Sequence, residues 1–244
     1  MKALVFAAGL GTRLKPYTDT MPKALVPVAG EPMLKRVLDK LVAAGYDDIV
    51  INVHHFAQQI RDYVAANDNF GVRISFSDET DLLRETGGGI RHAAPLLETS
   101  GEPVLVHNVD IISNLDLAWF MASHSEKDLA TILVSRRKTQ RYFLFDDELL
   151  LVGWMNEQTG EVRSPYANID LDKCTKLAFS GVHVISPAIF DVMREWPECF
   201  PIVDFYLSNC RKHAIRAAVP EDYRMFDIGK CETLDAAEEY IRTL

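Results

Sequence analysis

The chain predicts an α/β fold built on a mostly parallel sheet, and three observations carry that expectation. Short apolar runs alternate with segments of helical periodicity through the first half of the sequence. The first run, Leu4-Val5-Phe6-Ala7-Ala8, breaks at once into the glycine turn Gly9-Leu10-Gly11-Thr12-Arg13. A later run, Pro103-Val104-Leu105-Val106, delivers the polar group His107-Asn108-Val109-Asp110. Strands separated by helices give a parallel sheet with right-handed crossovers. Ligands of such sheets collect at the carboxyl ends of the strands, where the glycine turn and Asp110 both fall.

The elements follow in order. After the glycine turn a second basic element stands at Pro22-Lys23. Leu34, Val37, Leu38, Leu41 and Val42 share one helical face, and Ile60, Tyr63 and Val64 share another. Asp48–Val53 reads as a strand, and Val72–Phe76 alternates with period two. Gly87-Gly88-Gly89 opens a helix over Ile90–Leu97. The second half is richer in strands: Leu129–Ser135, a hairpin of Tyr142–Phe145 with Leu149–Gly153, and Leu177–Ile185. Ser186-Pro187 reads as an N-cap followed by proline at the first helical position. Helices are expected over about Val203–Lys212 and Glu232–Leu244, with Asp227-Ile228-Gly229 just before the last. No linker, repeat or low-complexity tract interrupts the chain, so a single domain over residues 1–244 is expected.

Composition narrows the function. With 244 residues, 48% of them hydrophobic, a sizeable core can form. The net charge of −9 argues against nucleic acid as a partner, because its binders present a basic surface. Any anion site must be made locally, against the overall field. Cys174, Cys199, Cys210 and Cys231 form no CxxC pair, which argues against a zinc cluster and for reduced thiols in a cytoplasmic protein. The apolar run near the N-terminus spans only about seven residues, at the lower edge of a secretory segment. No later run approaches the ~20 residues of a membrane span.

The glycine turn carries the chemistry. Glycine lets backbone N–H groups approach a ligand closely, and Arg13 and Lys23 add positive charge around the loop. Together they describe a cradle for a phosphorylated anion. Singly, each residue has a plain structural reading: turn glycines, surface cations, a polar strand end at Asp110, a helix-end charge at Asp227. A dinucleotide-binding dehydrogenase fits poorly, since Gly9-x-Gly11-x-x-Leu14 lacks the third glycine and Glu31 sits in a Gly-Glu-Pro turn. No Gly-Lys-Ser/Thr follows the loop, which excludes a P-loop kinase. His54, His55 and His107 lack metal-ligand spacing.

The pattern Ala8-Gly9-x-Gly11-Thr12-Arg13-x-x-Pro16-x-Thr18, followed by Pro22-Lys23-x-Leu25-x-Pro27-Val28-x-Gly30-x-Pro32, resembles the signature of the sugar-1-phosphate nucleotidyltransferases. The similarity runs across nearly the whole chain. The Glu85–Gly89 stretch and the short length resemble the N-acetylmuramate 1-phosphate uridylyltransferases and the short mannose-1-phosphate guanylyltransferase-like proteins of bacteria. The resemblance implies a Rossmann-like three-layer fold with a mostly parallel mixed sheet. It divides the domain into a nucleotide-binding half, about residues 1–125, and a sugar-phosphate-binding half, about 126–244.

It further implies transfer of a nucleotidyl group from a nucleoside triphosphate to a sugar 1-phosphate, with release of pyrophosphate. Arg13 and Lys23 are then the catalytic cations. Ala8, Gly9, Gly11, Thr12, Gly87, Gly88 and Asn108 join them around the nucleotide. Asp110 and Asp227 hold Mg²⁺, and Glu85, Arg141, Tyr142, Ser180 and Gly181 take the sugar phosphate. The glycines at 87–89 pack against base or ribose. The basic run Arg136–Arg141 is either a solvated strand end or the border of the sugar-phosphate pocket. A monomer or small homo-oligomer is expected. Two features depart from the family pattern. Val109 stands where many relatives carry glycine before the metal aspartate, and the second sugar-phosphate lysine has no clean match, Glu161–Pro165 being nearest. A non-catalytic relative that keeps the fold is the competing reading. Such proteins typically lose the Arg, Lys or metal Asp, and all four residues are present here.

Overall fold

A computed structural model describes residues 1–229 and 233–242. In chain order the elements are β1 (Lys2–Phe6), β2 (Pro27–Val28), β3 (Glu31–Pro32), α1 (Met33–Ala43), β4 (Asp48–Val53), α2 (Ala57–Ala66), β5 (Arg73–Asp78) and α3 (Glu85–Leu97). They continue with β6 (Val104–Asn108), β7 (Ile111–Ser113), α4 (Leu117–Ala122), β8 (Ala130–Ser135), β9 (Arg141–Phe145), β10 (Leu151–Asn156) and β11 (Glu161–Arg163). The remainder is β12 (Thr175–Ile185), α5 (Ala188–Met193), α6 (Ile202–Asn209), β13 (Ile215–Ala218), β14 (Met225–Asp227) and α7 (Leu234–Ile241).

The central sheet runs β11-β10-β9-β12-β6-β1-β4-β5, with β8 beside β12 and β13 beside β8. β6, β1, β4 and β5 are mutually parallel. β12 enters antiparallel to β6, which makes the sheet mixed. Its eleven residues also pair with β8 and, at the N-terminal end, with β9. The ladder slips between Phe179 and His183, where Gly181 takes φ +73°. That left-handed conformation is open to glycine at no steric cost.

The parallel strands are buried on both faces and read as continuous apolar runs rather than as alternation. Val5, Ile49, Ile51 and Leu105 join one core, with α1, α2 and α4. Leu4, Val50, Val104 and Val106 join a second core, with α3, α5 and α6. Two helical layers on either side of one sheet are the three-layer architecture. α1 buries the expected face through Leu34, Val37, Leu38 and Leu41.

Several boundaries differ from expectation, each for a local reason. α3 begins at Glu85, so Gly87–Gly89 lie within the helix rather than before it. β10 begins at Leu151, because Leu149 has φ +59° and the Asp146 carboxylate accepts the N–H groups of Glu148 and Leu150 in a tight turn. β7, β11, β13 and β14 are three or four residues long, too short for periodicity to register. α4 was hidden in the sequence, although Asp116 caps it by accepting the N–H groups of Ala118 and Trp119. The expected ends of the final helix, Glu232 and Leu244, lie outside the described residues, as does Cys231.

His183, on β12, is fully buried; its ring meets the Tyr206 hydroxyl. Burial pushes its pKa down to about 3. The unfolded chain therefore binds a proton near the ordinary histidine value that the folded chain refuses. Stability should be fully present above about pH 6.5 and fall as pH drops toward 3. Thermal unfolding across that range should show the decline, and His183→Gln should flatten its slope.

Candidate active site

The glycine loop is fastened before it can bind anything. As the chain leaves β1, the N–H groups of Ala7 and Ala8 both donate to Asn52 Oδ1, at 2.6 and 3.1 Å. Gly9 lines a cavity, and a Cβ added there would meet nothing within 4 Å. Gly11 takes φ +65°, and a Cβ would lie 2.8 Å from Thr18 Cγ2 and 2.9 Å from Lys23 Cβ. Only glycine fits both the conformation and the space. Thr12–Leu14 form a single 3-10 turn, and Thr18 Oγ1 donates to Gly11 O at 2.9 Å.

Loop and strand end then meet. Lys23 Nζ forms an ion pair with the Asp110 carboxylate; the two side chains are only 13% and 14% exposed. Across from them, β14 pairs antiparallel with β7 and sets Asp227 opposite Ile111. Ile228 N–H donates to Asp110 O at 2.9 Å, which stitches the two carboxylate-bearing segments together. Asp227 Oδ1 accepts Gly229 N–H at 2.9 Å. A Cβ on Gly229 would lie 2.8 Å from an Arg13 guanidinium nitrogen, so Arg13 reaches over this turn. Arg13, Lys23, Asp110 and Asp227 thus stand at one edge of the sheet. Among the described residues no group of three or more His, Cys, Asp or Glu side chains is placed to hold a metal ion. A cation here would have to complete its shell from a ligand.

The cavity beside this group is about 280 Å³. Of the residues singled out from the sequence, Ala8, Gly9, Lys23, Glu85, Asn108 and Asp110 line it. Val109 lines it too and is 3% exposed, so its side chain narrows the space next to Asp110. Glu85 starts α3 at φ +58°, a strained conformation for a residue with a Cβ. Ser180 is fully buried, and Gly181 packs within 2.9 Å of Asn108 Nδ2 when a Cβ is placed on it. Arg141 is exposed at the head of β9, and the Tyr142 hydroxyl accepts Thr139 N–H at 2.9 Å.

Gly87 and Gly88 need a different account from packing on a base. Their N–H groups donate to Phe200 O at 2.9 and 3.1 Å. Their missing side chains make room for protein: a Cβ would come 2.3 Å from the Phe200 ring at Gly87 and 2.2 Å from Glu198 O at Gly88. Gly89 faces the other way, toward Phe6, Glu79 and Asn52. The run therefore lets α3 lie flush against both the 198–200 segment and the floor of the cavity.

Sequence reasoning missed Asn52 and Glu79, which also line the cavity. They are 2% and 0% exposed. The available signal for Asn52 was a lone polar residue inside the apolar run Asp48–Val53. His107, behind Asn108, is fully buried, and burial pushes its pKa down to about 4, so it is neutral near pH 7. Lys40 donates to Ser113 O at 2.7 Å beneath the β7 ribbon, and burial pulls its pKa down to about 8.

An edge of this kind suits phosphorylated ligands, and the chain is similar to proteins that handle them. The model of the family described as nucleotidyl transferase matches residues 2–143. The chain belongs to that family. It is 37% identical to the N-acetylmuramate alpha-1-phosphate uridylyltransferase of Caulobacter vibrioides over 196 residues, 77% of this chain and 76% of that one. It is 44% identical to the protein of the same name from Neisseria meningitidis over 116 residues, 48% of this chain and 49% of that one. Among solved structures, HddC from Yersinia pseudotuberculosis, complexed with GMP-PN, superposes with a TM-score of 0.77 at 23% identity, covering 98% of this chain and 99% of that one. This last likeness is one of fold. No helix among the described residues is long and apolar enough to cross a membrane.

Gly88→Ala should force α3 away from Glu198 O, a backbone atom that cannot swing aside. The expected cost is about 1–3 kcal/mol, the usual range for overpacking. Denaturant unfolding of the purified variant measures it, and a wild-type midpoint would refute the packing account.

Proposed function

We propose that the chain transfers a uridylyl group from UTP to N-acetylmuramic acid 1-phosphate or a closely related sugar 1-phosphate, with release of pyrophosphate. The observation that carries this reading is the meeting of Lys23 and Asp110 at the mouth of the glycine-loop cavity, with Arg13 and Asp227 alongside. The names of the two uridylyltransferase relatives support the choice of substrates.

Both reactants are anions, so their mutual repulsion is the main obstacle. A sugar phosphate oxygen attacks the α-phosphorus, the bond between that phosphorus and the α–β bridging oxygen breaks, and pyrophosphate departs with the electron pair. No protein nucleophile is required; positioning and charge neutralisation suffice. The Arg13 guanidinium can donate two parallel hydrogen bonds to the departing phosphates. Lys23 supplies a compact charge near the α-phosphate or the sugar phosphate. The loop amides beyond Ala8 face the phosphates, while the cavity bounded by Asn52, Glu79 and Thr86 receives the base and ribose. Ser180, Gly181, Arg141 and Tyr142 border the acceptor sugar on this reading.

A divalent cation fits the donor set. Asp110 and Asp227 present hard carboxylate oxygens on adjacent, hydrogen-bonded segments, the chemistry that Mg²⁺ takes from one or two carboxylates plus substrate phosphates. Such an ion would neutralise phosphate charge. Asp110 is already engaged by Lys23, so a bound metal ion would have to share that carboxylate with the lysine. With so few protein ligands, affinity for the metal should be weak until nucleotide is bound.

A matrix of nucleoside triphosphates against sugar 1-phosphates, scored by pyrophosphate release, tests the reading. UTP with N-acetylmuramic acid 1-phosphate should lead. A clear preference for GTP with mannose 1-phosphate would replace it. Arg13→Ala and Lys23→Ala should each fold and lose on the order of 10²–10³ in turnover with substrates saturating; wild-type turnover in either would remove that residue from the chemistry. Asp227→Asn should keep its shape and shift the Mg²⁺ titration of turnover to higher concentration. A titration matching wild type would leave Asp227 as a helix-end charge only.

A further inference from the structure

We propose that Asn52 and Glu79 are positioning residues that act as a two-member polar relay, setting the path of the glycine loop from the base side of the cavity. The inference rests on the nucleotide-site reading above for its effect on turnover, but not for its geometry.

The relay has one consistent polarity. The N–H groups of Ala7 and Ala8 can only donate, so the atom facing them must be the Asn52 oxygen. That fixes the Asn52 amide nitrogen toward Glu79, where it donates to Oε1 at 2.8 Å. The other carboxylate oxygen, Oε2, accepts Arg84 N–H at 3.0 Å. Glu79 is itself held at the strand end: its N–H donates to Val53 O at 2.8 Å, and its carbonyl meets the His54 ring at 2.6 Å. A Cβ on Gly89 would lie 3.0 Å from Glu79 Oε1, so the helix surface closes over the carboxylate.

Two aspects exceed what a core hydrogen bond needs. The carboxylate is fully buried and takes hydrogen bonds only from neutral donors; among the described residues no cationic side chain forms an ion pair with it, and the nearby Arg84 guanidinium donates to Asp81 instead. Burying an unpaired carboxylate is costly, and an apolar pair would fill the same space more cheaply. Moreover, the bonds it organises end at the first two residues of the phosphate loop and at the residue preceding Glu85. The relay thus ties the loop that meets the phosphates to the segment 79–86 that borders the base. A small shift at one end moves the other, and misplacement of about 1 Å can cost ~10²-fold in rate.

Reversing the polarity tests this. Asn52→Asp keeps an acceptor for Ala7 and Ala8 but sets a second carboxylate against Glu79. Glu79→Gln lacks the acceptors to satisfy both Asn52 and Arg84 without a donor–donor clash. In the double variant, the glutamine nitrogen can donate to the new aspartate while its oxygen accepts Arg84 N–H. Every bond is then restored, with a single carboxylate as before. Turnover at saturating UTP should fall about 10–100-fold in Asn52→Asp, with a smaller change in KM for UTP, and should recover to within a few-fold in the double variant.

Hydrogen exchange at the Ala7 and Ala8 amides supplies a readout independent of activity. Protection should fall in Asn52→Asp, where repulsion from Glu79 drives the new carboxylate off the two amides, and return in the double. If both single variants fold but the double restores neither turnover nor protection, the relay is wrong. If protection returns while turnover with UTP stays low, Glu79 contacts the base directly and the positioning account falls. An inactive wild type would instead refute the substrate reading and leave the exchange test standing.

Discussion

The ion pair between Lys23 and Asp110 joins the N-terminal loop to the end of a central strand, and the geometry of the active edge depends on it. Both groups are largely removed from water, so each would be costly alone. The pair settles two questions together. It brings the loop cation to the mouth of the cavity, and it neutralises a carboxylate there that would otherwise repel anionic ligands. In a chain with a net charge of −9, any site for phosphorylated ligands must be built from such local compensation. The remaining parts are arranged around it: Arg13 over the Asp227–Gly229 turn, and Ile228 bonded to the backbone of Asp110 itself.

Below that edge the sheet supplies stiffness. β1, β4 and β6 are buried on both faces, and their carboxyl ends deliver the loop, Asn52 and Asn108 side by side in fixed register; Phe6 stands opposite both Asn52 and Asn108. Register fixes the identity of neighbours more firmly than any side-chain contact. This explains how residues from three separate strands can line a cavity of about 280 Å³.

Much of this was legible in the sequence where the physics is local. A strand that breaks into Gly9-Leu10-Gly11, the period of α1 and the polar run after Val106 each announce themselves over a few residues. What stayed hidden depends on partners far along the chain. Gly87 and Gly88 looked like ligand-facing glycines because nothing nearby shows that Phe200 and Glu198 would fill the space. Nothing in the run Ser77-Asp78-Glu79 marks Glu79 out from the acid before it; α3 and Asn52 close over it only in the folded chain. The β7–β14 ribbon is too short for periodicity, yet it decides whether Asp227 reaches Asp110 at all.

That ribbon has a consequence for the order in which the molecule matures. Among the described residues β14 pairs only with β7, outside the central sheet. Its docking closes a loop that contains the whole of β8 through β13. Such long closures form late, after nearer contacts have repaid their own entropy. The central sheet and the Lys23–Asp110 pair make no use of β14, while Ile228, just beyond it, packs into the first core. A molecule caught before that closure would hold the whole central sheet and still lack the Asp227 carboxylate beside Asp110. Formation of the sheet and completion of its edge are separate attainments in this chain, divided by three residues of strand.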